Sequence, residues 1–418
     1  MVQTQPPQEE VDGYAARLKK LLTGVHRGWA VATTSFFAAA LAIGAGNYAF
    51  GFFIEPLELE FGWSRTQINA SLSLWALGSL TAPVFGRLMD KYGSRPVMMF
   101  CLIVVAVSFL LRPFMTELWH WYGLSTLQFL CTSGIAVLPA ARLVGVWFPK
   151  TRGRVMGLTM MGNNFGGLVV PPIIGAVLVA ASWKMGYVTL GIATMVIAAV
   201  AFIAVREPGQ RNEKMSNGGR PRDVLTAWTV QQVLRNRAFY IVTLAILLGS
   251  FIYGMVLSQM FVHLTVEGIS VGVATAALSG VAGCGMGGKF VFGYLSERIP
   301  TRFVMMLSFV GQISGLLLIL NPTNPVMLWL GVPIFGVCMG AFGALGPLLV
   351  QENFGIKFFG SIMGLVNLAT IVSFALGPII AGLSFDLTGE YQTAFLVMIG
   401  MLGFGIVVLT QAHVRSVR

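Results

Sequence analysis

Charge is the scarcest property of this chain. Only 10% of its 418 residues are Asp, Glu, Lys or Arg, where a soluble domain carries about 25%. So few charges cannot clothe a soluble surface of this size, which makes a lipid bilayer the expected solvent. Cysteine is nearly absent. Cys101, Cys131, Cys284 and Cys338 all fall in apolar runs without C-x-x-C spacing. They read as small buried hydrophobes, with a disulfide or metal pair as the alternative. No Ser/His/Asp grouping or metal-ligand cluster stands out, and no G-x-x-x-x-G-K-[S/T] phosphate loop is present. An enzyme, a resident cofactor and direct drive by ATP are therefore not expected.

What the chain has in abundance is apolar length. Fifty-six per cent of it is hydrophobic, with 50 glycines and 30 phenylalanines, a composition suited to helices that pack closely and face lipid. Twelve runs reach or approach the ~20 residues needed to cross the hydrocarbon core. Their approximate limits are 29–54, 66–88, 95–113, 119–147, 153–181, 184–205, 238–263, 270–296, 302–320, 326–351, 358–384 and 391–411. The first is too long for a signal-peptide core and reads as a retained helix. The spacing divides the chain into a polar tail (1–27), a six-helix bundle (28–205), a basic linker (206–237), a second six-helix bundle (238–412) and a short tail (413–418). In the first tail, 14–22 reads either as a surface amphipathic helix or as disorder.

The net charge of +11 follows from topology. With the N-terminus placed inside, the inner segments hold 22 of the 27 Lys and Arg, while acidic residues divide nine inside to seven outside. This is the positive-inside pattern. It predicts both termini in the cytoplasm and removes the need for a nucleic-acid partner. Arg65, Arg112 and Lys184 fall outside on this reading, and Arg142 and Lys289 fall within helices.

An internal repeat sets the architecture. Gly86-Arg-Leu-Met-Asp90-Lys-Tyr-Gly-Ser-Arg95 and Gly293-Tyr-Leu-Ser-Glu297-Arg-Ile-Pro-Thr-Arg302 share the pattern G-x-L-x-[D/E]-x-x-[G/P]-x-R at a shift of 207 positions. The same shift carries Gly153 to Gly360, Met156-Gly157-Leu158 to Met363-Gly364-Leu365, Pro171 to Pro378 and Gly175 to Gly382. Two parallel six-helix repeats place a site between them near the bilayer midplane. The expected fold class is thus an all-α membrane protein, with twelve transmembrane helices in two pseudo-symmetric bundles.

On these residues the chain resembles the major facilitator superfamily over essentially its whole length. The two decapeptides resemble that family's loop motifs between helices 2 and 3 and between helices 8 and 9. The resemblance implies a conformational gate built from Gly86, Asp90, Arg95, Gly293, Glu297 and Arg302. In such a gate an acid accepts from arginines and from a neighbouring helix N-terminus. A second set of motifs resembles the monocarboxylate transporters and oxalate/formate antiporters. It comprises His26-Arg-Gly-Trp29, Asn47-Tyr-Ala-Phe-Gly51, Phe61-Gly-Trp-Ser-Arg65, and Trp147 to Arg154 followed by Gly162-Asn-Asn-Phe-Gly166.

Lys289 is the main candidate for substrate chemistry. It lies eight residues before Glu297, about 12 Å along a helix and so near the middle of the membrane. A cation there costs at least ~2.5 kcal/mol unless it finds a partner or water. It either lines the substrate cavity, or snorkels or pairs structurally. The resemblance implies the first, because relatives carry a carboxylate-binding arginine on helix 8 four residues before the motif glycine, and Lys289 is four before Gly293. Lysine keeps the charge and loses the two-pronged grip. Where proton-coupled relatives often carry an aspartate, this chain has Gly285, and where they often carry a lysine it reads Gly51-Phe-Phe53. Arg142 is either a snorkelling or bonded structural cation or a second contact to the anion. Asn47, Tyr48, Gln128, Tyr253 and Gln259 lie on helices 1, 4 and 7. Each is a ligand candidate or helix–helix glue.

The expected function is transport of a small organic anion, a monocarboxylate, by alternating access, either facilitative or secondary active with a proton or counter-anion as coupling partner. The expected setting is a monomer in the inner (plasma) membrane. An exporter of drugs or amphipathic solutes on the same fold is the alternative.

Overall fold

The computed structural model describes residues 27–206, 228–257 and 259–411, and no description covers the side chains of Asn47, Arg65, Thr66 and Val271. The segment 14–22, most of the linker and the C-terminal tail lie outside the described residues.

Lipid offers no partner to a backbone N–H or C=O, so each apolar run closes its hydrogen bonds within a helix. Among the described residues there are twelve long helices and no strand. They are α1 (Arg27–Gly46), α2 (Gln67–Tyr92), α3 (Ser94–Phe114), α4 (Leu118–Trp147), α5 (Arg152–Ala180), α6 (Trp183–Ala204), α7 (Arg237–Leu257), α8 (Val271–Leu295), α9 (Thr301–Ile319), α10 (Pro325–Phe354), α11 (Phe359–Thr388) and α12 (Gln392–Thr410). Eleven are long and apolar enough to cross a bilayer. The glycine-rich α8, with 25 residues, exceeds the ~20 required.

Polar residues between the runs set the helix starts. Ser64 caps α2 through a reciprocal box with Gln67. Ser182, Asn236 and Asn324 accept backbone N–H groups at the starts of α6, α7 and α10, satisfying donors that a helix leaves orphaned. The eighth position of each decapeptide turns the chain by different means, Gly93 at φ 88 and Pro300 at φ −50.

The first and seventh runs are not single helices. The first passes through a π-helical turn, Gly44–Tyr48, and a tight turn, Phe50–Phe53, into the short helix Ile54–Phe61. The seventh has a π-helical turn at Ile252–Leu257 and resumes as Met260–Val266. In each half this turn packs on the fifth helix of the same half. A Cβ added at Gly44 would lie 2.8 Å from the Gly166 carbonyl, and one added at Gly254 would lie 2.7 Å from that of Ser373.

Helices α1–α6 and α7–α12 form the two halves. They meet chiefly along two antiparallel crossings, α2 on α11 and α5 on α8. These crossings are copies of each other under the 207-residue shift. Gly86 faces Gly360 and Ala82 faces Gly364 in the first, while Gly293 faces Gly153 and Lys289 faces Gly157 in the second. Glycine is required for this proximity. An added Cβ would lie 1.9 Å from the Gly360 carbonyl at Gly86 and 2.1 Å from the Gly293 carbonyl at Gly153. The halves are thus drawn together at the end that carries the decapeptides.

Candidate functional site

The acid of each decapeptide clasps the N-terminus of a helix in the other half. Asp90 accepts from the backbone N–H groups of Gly360 (3.1 Å) and Ser361 (2.7 Å) at the start of α11. Glu297 accepts from the N–H of Arg154 at 2.9 Å, at the start of α5, and from its guanidinium Nε. Orphan donors and the helix dipole make such termini good anion sites. The two clasps are again related by the repeat. They differ in their cation. Asp90 pairs with Arg142 on α4 at 2.5 Å, with both side chains at least 93% buried, whereas Arg154 is the cation beside Glu297 and is 43% exposed.

Of the gate arginines expected from sequence, Arg95 makes its bond within its own half. Arg95 donates to the Phe202 carbonyl at 2.5 Å and covers the Phe202 ring, fastening α3 to α6. Arg302 lies over the Phe303 ring. Arg142, a candidate for the anion in the sequence, is instead the partner of Asp90. Gln351 of α10 adds a further tie between the halves, donating to the Ala141 carbonyl at 2.7 Å.

Deeper along the second crossing sits Lys289. It is 5% exposed. Its Nζ donates to the Met160 carbonyl at 3.1 Å and to Asn164 Oδ1. Both partners belong to α5 and so to the other half. Asn164 in turn donates from Nδ2 to the Ala282 carbonyl of α8 at 2.8 Å. Among the described residues no carboxylate pairs with Lys289. An ammonium at this depth, held by neutral acceptors alone, retains most of its demand for an anion.

The other candidates are scattered. Tyr48 is exposed at the end of α1's π turn, and Tyr253 stands half-buried between Phe342 and Phe374, with ring centroids 6.1 and 6.4 Å away. The two tyrosines belong to opposite halves. Gln259 is half-buried at the start of the short helix after α7. Asn47's side chain lies outside what is described. Gln128 is buried inside the first half, where it accepts from Arg112 Nη2 at 2.7 Å.

Arg112, which the sequence reading put on the outer side at the end of the third run, is buried. It is 2% exposed, with its guanidinium 4.5 Å from the Trp121 ring and 4.6 Å from that of Tyr187. Aromatic faces take the place of a counter-ion. The helix continues through Arg112 to Phe114, which carries the charge into the bundle rather than out of it. Arg154 and Asn164 lie in motifs read from the sequence but were given no site role there. Arg154 could have been found as the repeat partner of Ser361; Asn164 could not, because only the helix crossing shows that it faces Lys289.

Comparison with known proteins agrees with this architecture. The Major Facilitator Superfamily family model matches residues 36–291 and 268–416. Monocarboxylate transporter 13 of Bos taurus is 27% identical over 375 residues, covering 88% of this chain and 85% of that one. The class H tetracycline resistance protein of Pasteurella multocida is 25% identical, covering 82% and 86%. Among solved structures, the superfamily transporter FucP in its outward conformation superposes with a TM-score of 0.68 at 16% identity, covering 91% of this chain and 98% of that one. The two half-length repeats, the paired clasps and these matches together make the chain a multi-pass membrane transporter, not an enzyme, that belongs to the Major Facilitator Superfamily.

Proposed function

We propose that this transporter carries a small organic anion, a monocarboxylate, by alternating access, either by facilitation or coupled to a proton or counter-anion. The observation that carries the reading is Lys289, a midplane ammonium with neutral partners only. A carboxylate would supply the missing charge, and lysine's point charge suffices for one. The monocarboxylate transporters among the relatives support the same class. Tyr48, Asn47, Tyr253 and Gln259 complete the proposed cavity. Gln128 and Arg142 already have strong partners in Arg112 and Asp90, so their role in the reading is to hold the helices. Asp90, Glu297 and the glycines beside them form the gate. From the distribution of Lys and Arg, the gate end and both termini face the cytoplasm, and the linker 206–237 joins bundles 28–205 and 238–412 on that side. A monomer in the plasma membrane suffices for this mechanism.

The test is uptake of radiolabelled pyruvate and lactate into proteoliposomes. Lys289→Ala removes charge-assisted bonds each worth ~1.5–3 kcal/mol, so uptake should fall roughly 10- to 100-fold while the protein remains folded. Unchanged uptake in a folded variant refutes the role of the lysine. The tetracycline resistance relative and the aromatic surface around Tyr253 favour a second reading, an exporter of amphipathic solutes. Competition by lipophilic cations, with none by carboxylates, would establish that reading instead.

A further inference from the structure

We infer that Asn164 is a positioning residue for Lys289, and that the pair is a latch between the halves that an arriving carboxylate releases. The handover to a carboxylate rests on the anion reading above; the latch itself does not.

The hydrogen bonds admit one arrangement. An ammonium only donates, so Asn164 must turn Oδ1 toward Lys289. Its Nδ2 then meets the Ala282 carbonyl at 2.8 Å, which only accepts. Flipping the amide would set donor against donor and acceptor against acceptor. Asn164 is therefore fixed at both ends by α8 although it belongs to α5. Lys289, from α8, also takes the Met160 carbonyl of α5 at 3.1 Å. Three polar bonds cross the boundary at this level. The backbones touch beside them, since a Cβ added at Gly157 would lie 2.2 Å from the Lys289 carbonyl.

The companion crossing lacks this device. Under the 207-residue shift Lys289 corresponds to Ala82 and Asn164 to Ile371, and Ala82 is wholly buried. The two crossings share the acid-to-helix clasp and its glycine contacts, and differ in side chain deeper along the helices, so the polar latch is an addition to the shared design. Its chemistry suits release. A neutral amide and a peptide carbonyl are weaker partners for an ammonium than a carboxylate is. An anion that engages Lys289 draws it from Asn164 and Met160, and the α5–α8 crossing loses what the ligand gains.

The full-length protein in nanodiscs, free of substrate, tests the latch. Spin labels at Lys91→Cys and Lys357→Cys, exposed positions on opposite halves at the gate end, report its opening in a background without the four native cysteines. N164A should raise the open fraction roughly 10-fold. N164D should open it less than N164A does, because the aspartate keeps a charged bond to Lys289 across the boundary although it loses the Ala282 bond. Adding N164A to K289M should change the open fraction by clearly less than it does in the wild type, since only the Asn164 bond to the Ala282 carbonyl remains to be lost. Equal shifts from N164A and N164D, or a full N164A effect in the K289M background, would overturn the latch. Should N164A not fold, N164L, close in volume and without an acceptor, replaces it with the same expected shift. Saturating pyruvate should open the wild type and add little to N164A. Pyruvate without effect on the wild type overturns the handover and, with failed uptake, the anion reading, whereas the ligand-free variants still decide the latch.

Discussion

Gly86→Ala adds one methyl group at the point where the halves are closest. Helix propensity alone favours the change, because alanine exceeds glycine by about 1 kcal/mol inside a helix. Packing opposes it. The new Cβ would lie 1.9 Å from the carbonyl oxygen of Gly360, 2.4 Å from its carbon and 2.9 Å from the nitrogen of Ser361. All three are backbone atoms, so no side chain can swing away. Ordinary contact begins near 3.4 Å, so α2 and α11 must part by about 1.5 Å. That movement lengthens the bonds from Gly360 N (3.1 Å) and Ser361 N (2.7 Å) to Asp90 past useful range. Overpacking costs ~1–3 kcal/mol, and taking ~2 kcal/mol while leaving the weakened clasp out gives a lower bound near 30-fold. The contact belongs to the state closed at this end, so the penalty falls on closure and not on folding. The Lys91/Lys357 label pair should therefore report at least that rise in open fraction, with little change in melting temperature. Gly153→Ala, whose Cβ would lie 2.1 Å from the Gly293 carbonyl, should act in the same direction. Gly283→Ala and Gly382→Ala meet nothing within 4 Å and serve as controls. An unchanged distance distribution in Gly86→Ala, or equal opening in the controls, refutes this reasoning.

Two further predictions concern the opposite end of the first half. Arg112→Ala should cost ~2–4 kcal/mol of stability, because it leaves a void between Trp121 and Tyr187 and strands Gln128. Arg112→Met should cost less, since it fills the space and, among the described residues, no carboxylate loses a partner; equal losses in thermal unfolding would contradict this. Glu60, on the short helix before α2, is held below the ordinary glutamate pKa, first by its bond with Lys184 and then by Trp183. The folded state therefore releases this proton more readily than the unfolded one. The stabilisation is complete above the ordinary glutamate value and disappears as pH falls through the lowered one. With Glu60 39% exposed the effect is small. The melting-temperature gap between wild type and Glu60→Gln should close as pH falls from neutral through the lowered value, and a gap that persists at acid pH would contradict the assignment.

The helices and their repeat were legible because both are one-dimensional signals. A run of about 20 apolar residues needs no partner to be recognised, and a decapeptide repeated at a fixed shift shows itself. Partners across helices were not legible. Arg142 and Asp90 lie 52 positions apart, and nothing local to Arg142 distinguishes a snorkelling cation from a paired one. Arg112 misled for the opposite reason. A charge at the end of an apolar run ordinarily marks the interface, and only Phe109, Trp121 and Tyr187, from three helices, make a buried place for it. Lys289 drew attention by its cost, which depends only on its place within an apolar run. Asn164 stayed hidden because its significance depends on which way a neighbouring helix faces.

The symmetry separates two tasks that the decapeptides alone would seem to combine. The acid-to-helix clasp occurs twice, once through Asp90 and once through Glu297, with glycine contacts beside both. A duplicated element of this kind can set the stability of the closed state. It lies at the helix ends, so an anion in a midplane cavity would not touch it and its energy would be the same for the empty and the loaded protein. A ligand shifts an equilibrium only by what it binds differently in the two states. The substrate-sensitive contribution has to come from a group that holds the halves together and also offers the cargo a bond. Along these two crossings, Lys289 is a buried cation whose bonds to the other half end on neutral acceptors. The stronger ion pair of Arg142 and Asp90 is already satisfied at the gate, so an anion gains less by competing there. Duplication thus accounts for the clasps, and the proposed latch at Lys289, which the repeat does not copy, would let a bound anion bear on them.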